Sequence, residues 1–106
     1  MQLKILTDEE KITESLNLLQ EESAELIQAV SKINRFGLSS TNPLLENSKT
    51  NLEHLIEEMG DVQALIELTA YHLGINSRDL SEARKDKFRK LRKWSNLLTS
   101  DDDIEK

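Results

Sequence analysis

Residues 7–37 read TDEEKITESLNLLQEESAELIQAVSKINRFG and have the features of one long helix. Thr7 and Glu10 form the T-x-x-E pattern of a capping box, in which each side chain accepts a hydrogen bond from the backbone N–H of the other residue. Gly37 is a typical residue to follow a helix. The stretch therefore predicts a helix over about residues 8–36. Its apolar residues recur at the three- and four-residue steps of an amphipathic helix, at Ile12, Leu16, Leu19, Leu26, Val30 and Ile33.

Two more helices are predicted further along the chain. Thr50 and Glu53 form a second capping box, and Gly74 ends the helix that this box opens. Ser77 is predicted to cap a third helix, RDLSEARKDKFRKLRKW, over residues 78–94. The fold class is therefore predicted to be all-α, a small helical bundle of three long helices that is completed by oligomerisation.

The segment between the first two helices, GLSSTNPLLENSKT, is rich in turn-forming residues and is predicted to be a loop. Within it, Asn42-Pro43 can cap a possible short helical turn, because proline is favoured at the first position of a helix. Residues 1–98 are predicted to form one helical domain. The last eight residues, 99–106, read TSDDDIEK and are predicted to be a flexible acidic tail.

The composition argues against several functional classes. The 106 residues include no Cys, which removes disulfides, thiol catalysis and thiolate metal sites. A net charge of -6 and an aromatic content of 4% argue against nucleic acid as a partner, because phosphate contacts need clustered cations and single strands need stacking surfaces. No apolar run resembles a signal peptide or a membrane span. We therefore expect no membrane association and a cytoplasmic protein.

Two acidic clusters, EESAE and EEMGD, occupy similar places on the first two helices. Glu22 and Glu58 lie about 60° from the centre of the apolar stripe of their helix. Glu25 and Asp61 lie about 120° from it, on the same side. If the helices pack antiparallel, the four carboxylates face one cleft, where they repel unless a cation neutralises them. An oxygen-only ligand set suits Mg²⁺ or Mn²⁺. Alternatively, both clusters are solvated helix faces that pair with nearby Lys or Arg.

The two clusters together carry a family resemblance. EE-x-x-E followed by E-x-x-D resembles the signature of the MazG-like all-α NTP pyrophosphohydrolases, and the combination is specific although neither half is. LQEESAELIQAVSKINRFG resembles the first long helix of short, single-domain members, many of them carried by phages. NLEHLIEEMGDVQALIEL resembles their second helix, and KFRKLRKWS resembles their closing basic segment. The resemblance covers about residues 15–95.

The resemblance implies a reaction and a ligand set. The reaction is Mg²⁺-dependent hydrolysis of a nucleoside triphosphate between its α- and β-phosphates, by a homodimer or homotetramer, in the host cytoplasm if the chain is phage-encoded. Mn²⁺ is a possible substitute for Mg²⁺. Glu21 is expected to orient or deprotonate the attacking water. The expected metal ligands are Glu22, Glu25, Glu58 and Asp61.

Three basic residues are candidates for binding the substrate phosphates. Lys32 lies two helical turns after Glu25 on the same face, and Arg35 lies three residues further on. Relatives carry a similar basic element, SK-x-x-RFG, although Lys and Arg near a helix C-terminus also complement the helix dipole without any substrate. Lys87 matches a lysine that relatives direct at substrate phosphate. Four residues later many relatives have Asn or Arg, whereas this chain has Leu91.

Other interpretations stay open at this stage. AYHLGI resembles the end of the second helix in phosphoribosyl-ATP pyrophosphohydrolases, although RFG and KFRKLRKW favour the MazG-like group. A dUTPase-like or dCTPase-like member is a further possibility, normally on a longer chain. A non-enzymatic helical interaction module, with solvated acids, belongs to a different class. No role is assigned to His54 or His72, and neither the base nor the sugar of the substrate is specified.

Overall fold

A computed structural model describes residues 5–98 and contains three α-helices in that range. They are α1 (Asp8–Phe36), α2 (Asn51–Leu73) and α3 (Ser77–Trp94), and the described residues include no strand. The predicted all-α fold with three long helices is confirmed. The predicted acidic tail, 99–106, lies outside the described residues.

Both predicted capping boxes form. At the start of α1, the Thr7 side chain accepts a hydrogen bond from the Glu10 N–H at 3.1 Å, and the Thr7 N–H donates to Glu10 Oε1 at 3.2 Å. At the start of α2, the Glu53 N–H donates to Thr50 Oγ1 at 3.1 Å, and the Thr50 N–H donates to Glu53 Oε1 at 3.0 Å. Each box satisfies backbone N–H groups that the first turn of a helix leaves unpaired.

Gly37 follows α1 with a φ of 91° and donates its N–H to Ile33 O at 2.8 Å. Gly74 follows α2 with a φ of 67°. A positive φ strains residues with a Cβ atom, so glycine is the natural residue at both helix ends. α1 runs without interruption between its cap and Gly37, as 29 residues.

The start of α3 differs from the prediction by one residue. Asn76, and not Ser77, is the N-cap residue, and its Oδ1 accepts a hydrogen bond from the Arg78 N–H at 2.8 Å. Asn and Ser cap helices about equally well. With two good caps in succession, residue type alone does not fix the first residue of the helix.

The connection between α1 and α2 contains turns and no short helix. Asn42 organises it: its Oδ1 accepts from the Leu44 N–H at 3.0 Å, its carbonyl accepts from the Leu45 N–H at 3.1 Å, and its N–H donates to Ser48 Oγ at 3.0 Å. Asn47 has a φ of 58°, which a right-handed helix does not accommodate. The possible short helical turn is therefore replaced by an Asn-centred loop.

α1 and α2 pack antiparallel against each other. Thr69 Oγ1 donates to Ser15 O at 3.4 Å near one end of the pair, and Asn51 Nδ2 donates to Lys32 O at 3.5 Å near the other. The least exposed residues of each helix recur at steps of three and four, and we call this line of contact the α1–α2 seam. It contains Ile12, Ser15, Leu19, Glu22, Leu26, Ala29 and Ile33 of α1, and Asn51, Leu55, Glu58, Val62, Leu65, Thr69 and His72 of α2.

Within residues 5–98 the chain divides into two compact units, with the boundary between Leu73 and Gly74. The first contains α1, α2 and the connection between them. In the second, the Arg84 guanidinium lies over the Phe88 ring, 4.8 Å from its centroid, and Arg89 forms ion pairs with Glu82 and Asp86. Among the described residues, no helix combines the length and the apolar character needed to cross a membrane.

Candidate functional site

Two glutamates lie in the α1–α2 seam, where their neighbours are mainly apolar. Glu22 of α1 and Glu58 of α2 are both half-buried. The Oε2 atom of each is inaccessible to solvent and has no hydrogen-bond partner within residues 5–98. A buried carboxylate oxygen without a partner is unfavourable unless a proton or a cation reaches it. The seam therefore contains two carboxyl groups that helix packing alone does not satisfy.

Asp61 brings a third carboxylate to the same point. It follows Glu58 by three residues on α2, and one oxygen from each of Glu22, Glu58 and Asp61 lies within 4.8 Å of the other two. Ligands of one Mg²⁺ ion, at about 2.1 Å from it, are at most about 4.2 Å apart. A small side-chain adjustment is therefore enough to place all three on one cation. Asp61 is exposed, so the cluster is open to solvent on one side.

Glu25 lies beside the two seam glutamates. Although burial is the larger cause for each, the negative charge of Glu25 also raises the pKa of both Glu22 and Glu58. Glu25 and Glu58 also line the same cavity. The four predicted metal ligands are thus brought together, three with converging oxygens and Glu25 beside them.

The electrostatics of the cluster favour protonation or cation binding. Burial raises the pKa of Glu22 above its ordinary value, and the surrounding carboxylates raise it further, with Glu25 contributing most. Burial is likewise the main cause of the raised pKa of Glu58, followed by the charges of Glu25 and Asp61. A cation at the centre of the cluster would reverse this effect, since it favours the charged form of every carboxylate around it.

The helical-wheel estimate for Glu22 and Glu58 is wrong in one respect. They lie on the line of contact between the helices and not at its border. The predicted stripe is centred on large apolar residues, whereas the most buried seam positions are the smaller Ser15, Ala29 and Thr69. Small side chains let two helices approach closely, so the contact line shifts toward them and toward the glutamates.

The other predicted site residues are placed differently. Glu21 is exposed on α1, next to Glu22 in sequence, and its role stays a prediction. Lys32 lines the cleft described below. The Arg35 guanidinium lies over the Phe36 ring, 5.0 Å from its centroid. Lys87 is exposed on α3, in the second compact unit, and its role in phosphate binding also stays a prediction.

A cavity of about 250 Å³ adjoins the acidic cluster. Glu25 and Glu58 line it at one end, together with Lys32, Asn51 and His54. Neither Asn51 nor His54 was predicted as a site residue. His54 precedes Glu58 by four residues and Asn51 precedes it by seven, so both lie on the same face of α2 as that glutamate. Their spacing from Glu58 is therefore the feature of the sequence that could have identified them as site residues.

The site thus has two parts, an acidic cluster in the α1–α2 seam and a small cavity with a lysine and a histidine beside it. The carboxylates supply the hard oxygen ligands that Mg²⁺ and Mn²⁺ prefer. The basic groups are suited to an anion that the cation also binds. Comparisons with models of known families, with curated proteins and with solved structures find no match to this chain, so its function has to be inferred from these residues and their geometry.

Proposed function

We propose that this chain is a Mg²⁺-dependent nucleoside triphosphate pyrophosphohydrolase, which cleaves an NTP or dNTP between the α- and β-phosphates and acts in the cytoplasm. One observation carries the proposal: Glu22 and Glu58 lie in the α1–α2 seam, each with a buried oxygen that has no partner among the described residues, and both lie beside Asp61. Two such glutamates do not stabilise the packing of α1 against α2, because charges in an apolar seam are unfavourable unless they are neutralised. A function that requires a cation accounts for it.

The donor set fits the proposed ion. Glu22, Glu58 and Asp61 would hold it, and Glu25, whose charge acts on both Glu22 and Glu58, is proposed as a fourth ligand. All the donors are carboxylate oxygens, which suits Mg²⁺ with Mn²⁺ as a substitute. When bound, Mg²⁺ would draw charge from the substrate phosphates and lower the pKa of a coordinated water molecule.

The side chains around the cluster have complementary roles in the proposed reaction. Water attacks the phosphoanhydride that joins the α- and β-phosphates, and the P–O bond of that link breaks. The products are a nucleoside monophosphate and pyrophosphate. Glu21 accepts the proton of the attacking water and passes it to solvent. Lys32, in the cavity next to Glu25 and Glu58, offsets the negative charge of the phosphate chain. The roles of Arg35 and Lys87 in binding the phosphates stay predictions.

The direct test is a screen for pyrophosphate release from all canonical NTPs and dNTPs in the presence of Mg²⁺, with phosphoribosyl-ATP as an additional substrate. We expect turnover of at least one canonical nucleotide, with monophosphate and pyrophosphate formed in equal amounts. If only phosphoribosyl-ATP is hydrolysed, the chain is instead a phosphoribosyl-ATP pyrophosphohydrolase, and the MazG-like assignment is wrong. No turnover of any of them would favour a helical interaction module.

The proposed enzyme is a homodimer or homotetramer, and its exposed apolar side chains support this. Ile27 of α1 is 69% exposed, and Ile56 and Met59 of α2 are 60% and 52% exposed. By helix geometry they lie on the flank of the seam opposite to Glu25 and Asp61. An exposed apolar surface of this kind marks an interaction site in a soluble protein.

Substitution of two of these residues tests the oligomer. Ile27→Glu and Ile56→Glu are each expected to convert the oligomer to monomer, because a charge would be buried at the interface. Light scattering coupled to size-exclusion chromatography measures the mass, and Asn17→Glu, at an exposed polar position of α1, is the matched control. A wild-type chain that is monomeric at micromolar concentration would contradict the prediction.

A further inference from the structure

A second cavity, of about 710 Å³, adjoins the smaller one. It lies between the last turn of α1, the connecting segment and the first turn of α2, all within the first compact unit. Lys32, Asn51 and His54 line both cavities, so together they form one cleft. The carboxylates Glu25 and Glu58 lie at one end of this cleft, and the connecting segment encloses the other.

The wall formed by the connecting segment is held in place by hydrogen bonds. The backbone N–H groups of Asn51 and Leu52 donate to Ser40 O and Leu38 O, both at 2.9 Å. The Asn51 side chain donates to Gly37 O, also at 2.9 Å. Lys49 adds an ion pair with Glu57 of α2. These bonds fix the segment to the first turns of α2, and so they hold the wall of the cavity in place.

The lining of the larger cavity differs from that of the acidic end. Phe36, Pro43 and Leu45 supply apolar surface, and Thr41, Asn42 and Ser48 supply hydroxyl and amide groups. Mostly apolar walls with a few polar groups, in a volume of 300–1,000 Å³, are typical of sites for small organic molecules. The smaller cavity, with its lysine, histidine and carboxylates, is suited instead to phosphates and a cation.

We propose that the nucleoside part of the substrate occupies the larger cavity, while its phosphates occupy the smaller one. This inference rests on the proposed function and specifies where the base and sugar bind. The base lies against the exposed ring of Phe36, and the sugar faces the hydroxyl and amide groups of the connecting segment. His54, at the junction of the two cavities, contacts the phosphate nearest to the nucleoside.

Binding measurements can separate the two ends of the cleft. The probes are the four α,β-imido deoxynucleoside triphosphates, which are not hydrolysed, and tripolyphosphate, which lacks the nucleoside, both titrated with Mg²⁺ present. Phe36→Ala is expected to weaken the best-bound nucleotide analogue about tenfold, as the loss of an aromatic stacking surface does elsewhere, without changing tripolyphosphate affinity. Leu45→Trp, which fills the cavity, is expected to have the same selective effect.

The histidine has its own matched control. His54→Ala is expected to weaken the nucleotide analogue and to raise KM more than it lowers kcat. His72 lies on the same helix, but its ring packs against Tyr71. His72→Ala is therefore expected to leave nucleotide affinity, KM and kcat unchanged. Circular dichroism checks that every variant remains helical.

The outcomes distinguish this inference from the proposed function. Suppose that Phe36→Ala and Leu45→Trp are folded, still hydrolyse nucleotides, and bind the nucleotide analogue in the same preference over tripolyphosphate as the wild type does. The nucleoside then does not bind in the larger cavity, and the proposed function stands. If the wild-type chain binds neither probe with Mg²⁺, both proposals are overturned.

Discussion

Glu58→Gln and Asp61→Asn are each expected to abolish Mg²⁺-dependent pyrophosphate release, with at least about a 100-fold loss of kcat/KM. Substitution of residues that merely orient a metal ligand costs 10–100-fold in metal affinity or activity, and these two residues are proposed to bind the cation themselves. Both substitutions keep the size of the side chain, and Gln is as good a helix former as Glu. Helical content and oligomeric state should therefore remain those of the wild type, and the loss should be confined to catalysis.

The control for this experiment is Glu67→Gln, the same change at an exposed position of α2 with no assigned role. Pyrophosphate release is measured at several Mg²⁺ concentrations, so that weakened metal binding is seen as a shifted Mg²⁺ dependence. Substantial activity in Glu58→Gln and Asp61→Asn, with Glu67→Gln unchanged, would show that these carboxylates do not bind the catalytic ion. The seam glutamates would then need another explanation.

Local signals in the sequence were sufficient for the helices but not for the contact between them. The two capping boxes and the two glycines are short-range patterns with a defined physical effect, so α1 and α2 could be bounded within a residue or so. Which face of α1 meets α2 depends on contacts between residues more than fifty positions apart, such as Ser15 and Thr69. Leu16 and Val30 belong to the predicted apolar stripe of α1 but are exposed, whereas the neighbouring Ser15 and Ala29 are buried.

The same limit explains what was found and what was missed at the site. The spacing of EESAE and EEMGD places each acidic pair on one side of its helix, which was enough to predict that the four carboxylates meet. It could not indicate that Glu22 and Glu58 would be in the seam itself. The larger cavity is enclosed by the connecting segment, whose shape depends on a hydrogen bond from Asn42 to Ser48 within it and on one from Asn51 of α2 to Gly37. The spacing of His54 from Glu58 was visible in the sequence, but its place at the junction of the two cavities depends on that segment.

Mg²⁺ is expected to raise the thermal stability of this chain, and to do so more at high pH than at low pH. Glu22 and Glu58 have pKa values above their ordinary value, chiefly because of burial. In the metal-free protein their favourable contribution is therefore fully present below the unfolded-state pKa, and it is lost as the pH rises through the raised folded-state values. Mg²⁺ would neutralise these buried carboxylates and so offset the loss. We expect a rise in Tm of about 5 °C or more near pH 8, and a much smaller rise near pH 5.

Glu22→Gln and Glu58→Gln should remove this effect, because each takes a negative charge out of the cluster. Near neutral pH each variant is expected to be more stable than the wild type without metal, and to show no rise in Tm with Mg²⁺. Glu67→Gln is again the control. Glu53 does not contribute to this pH dependence. Hydrogen bonds from Thr50 lower its pKa, so its contribution to stability is lost only as the pH falls through that lowered value. Calorimetry in EDTA and in excess Mg²⁺ measures each Tm. A metal-free wild type more stable than Glu58→Gln near pH 8 would mean that the cluster is not strained by its own charge, and the main argument for a cation there would be lost.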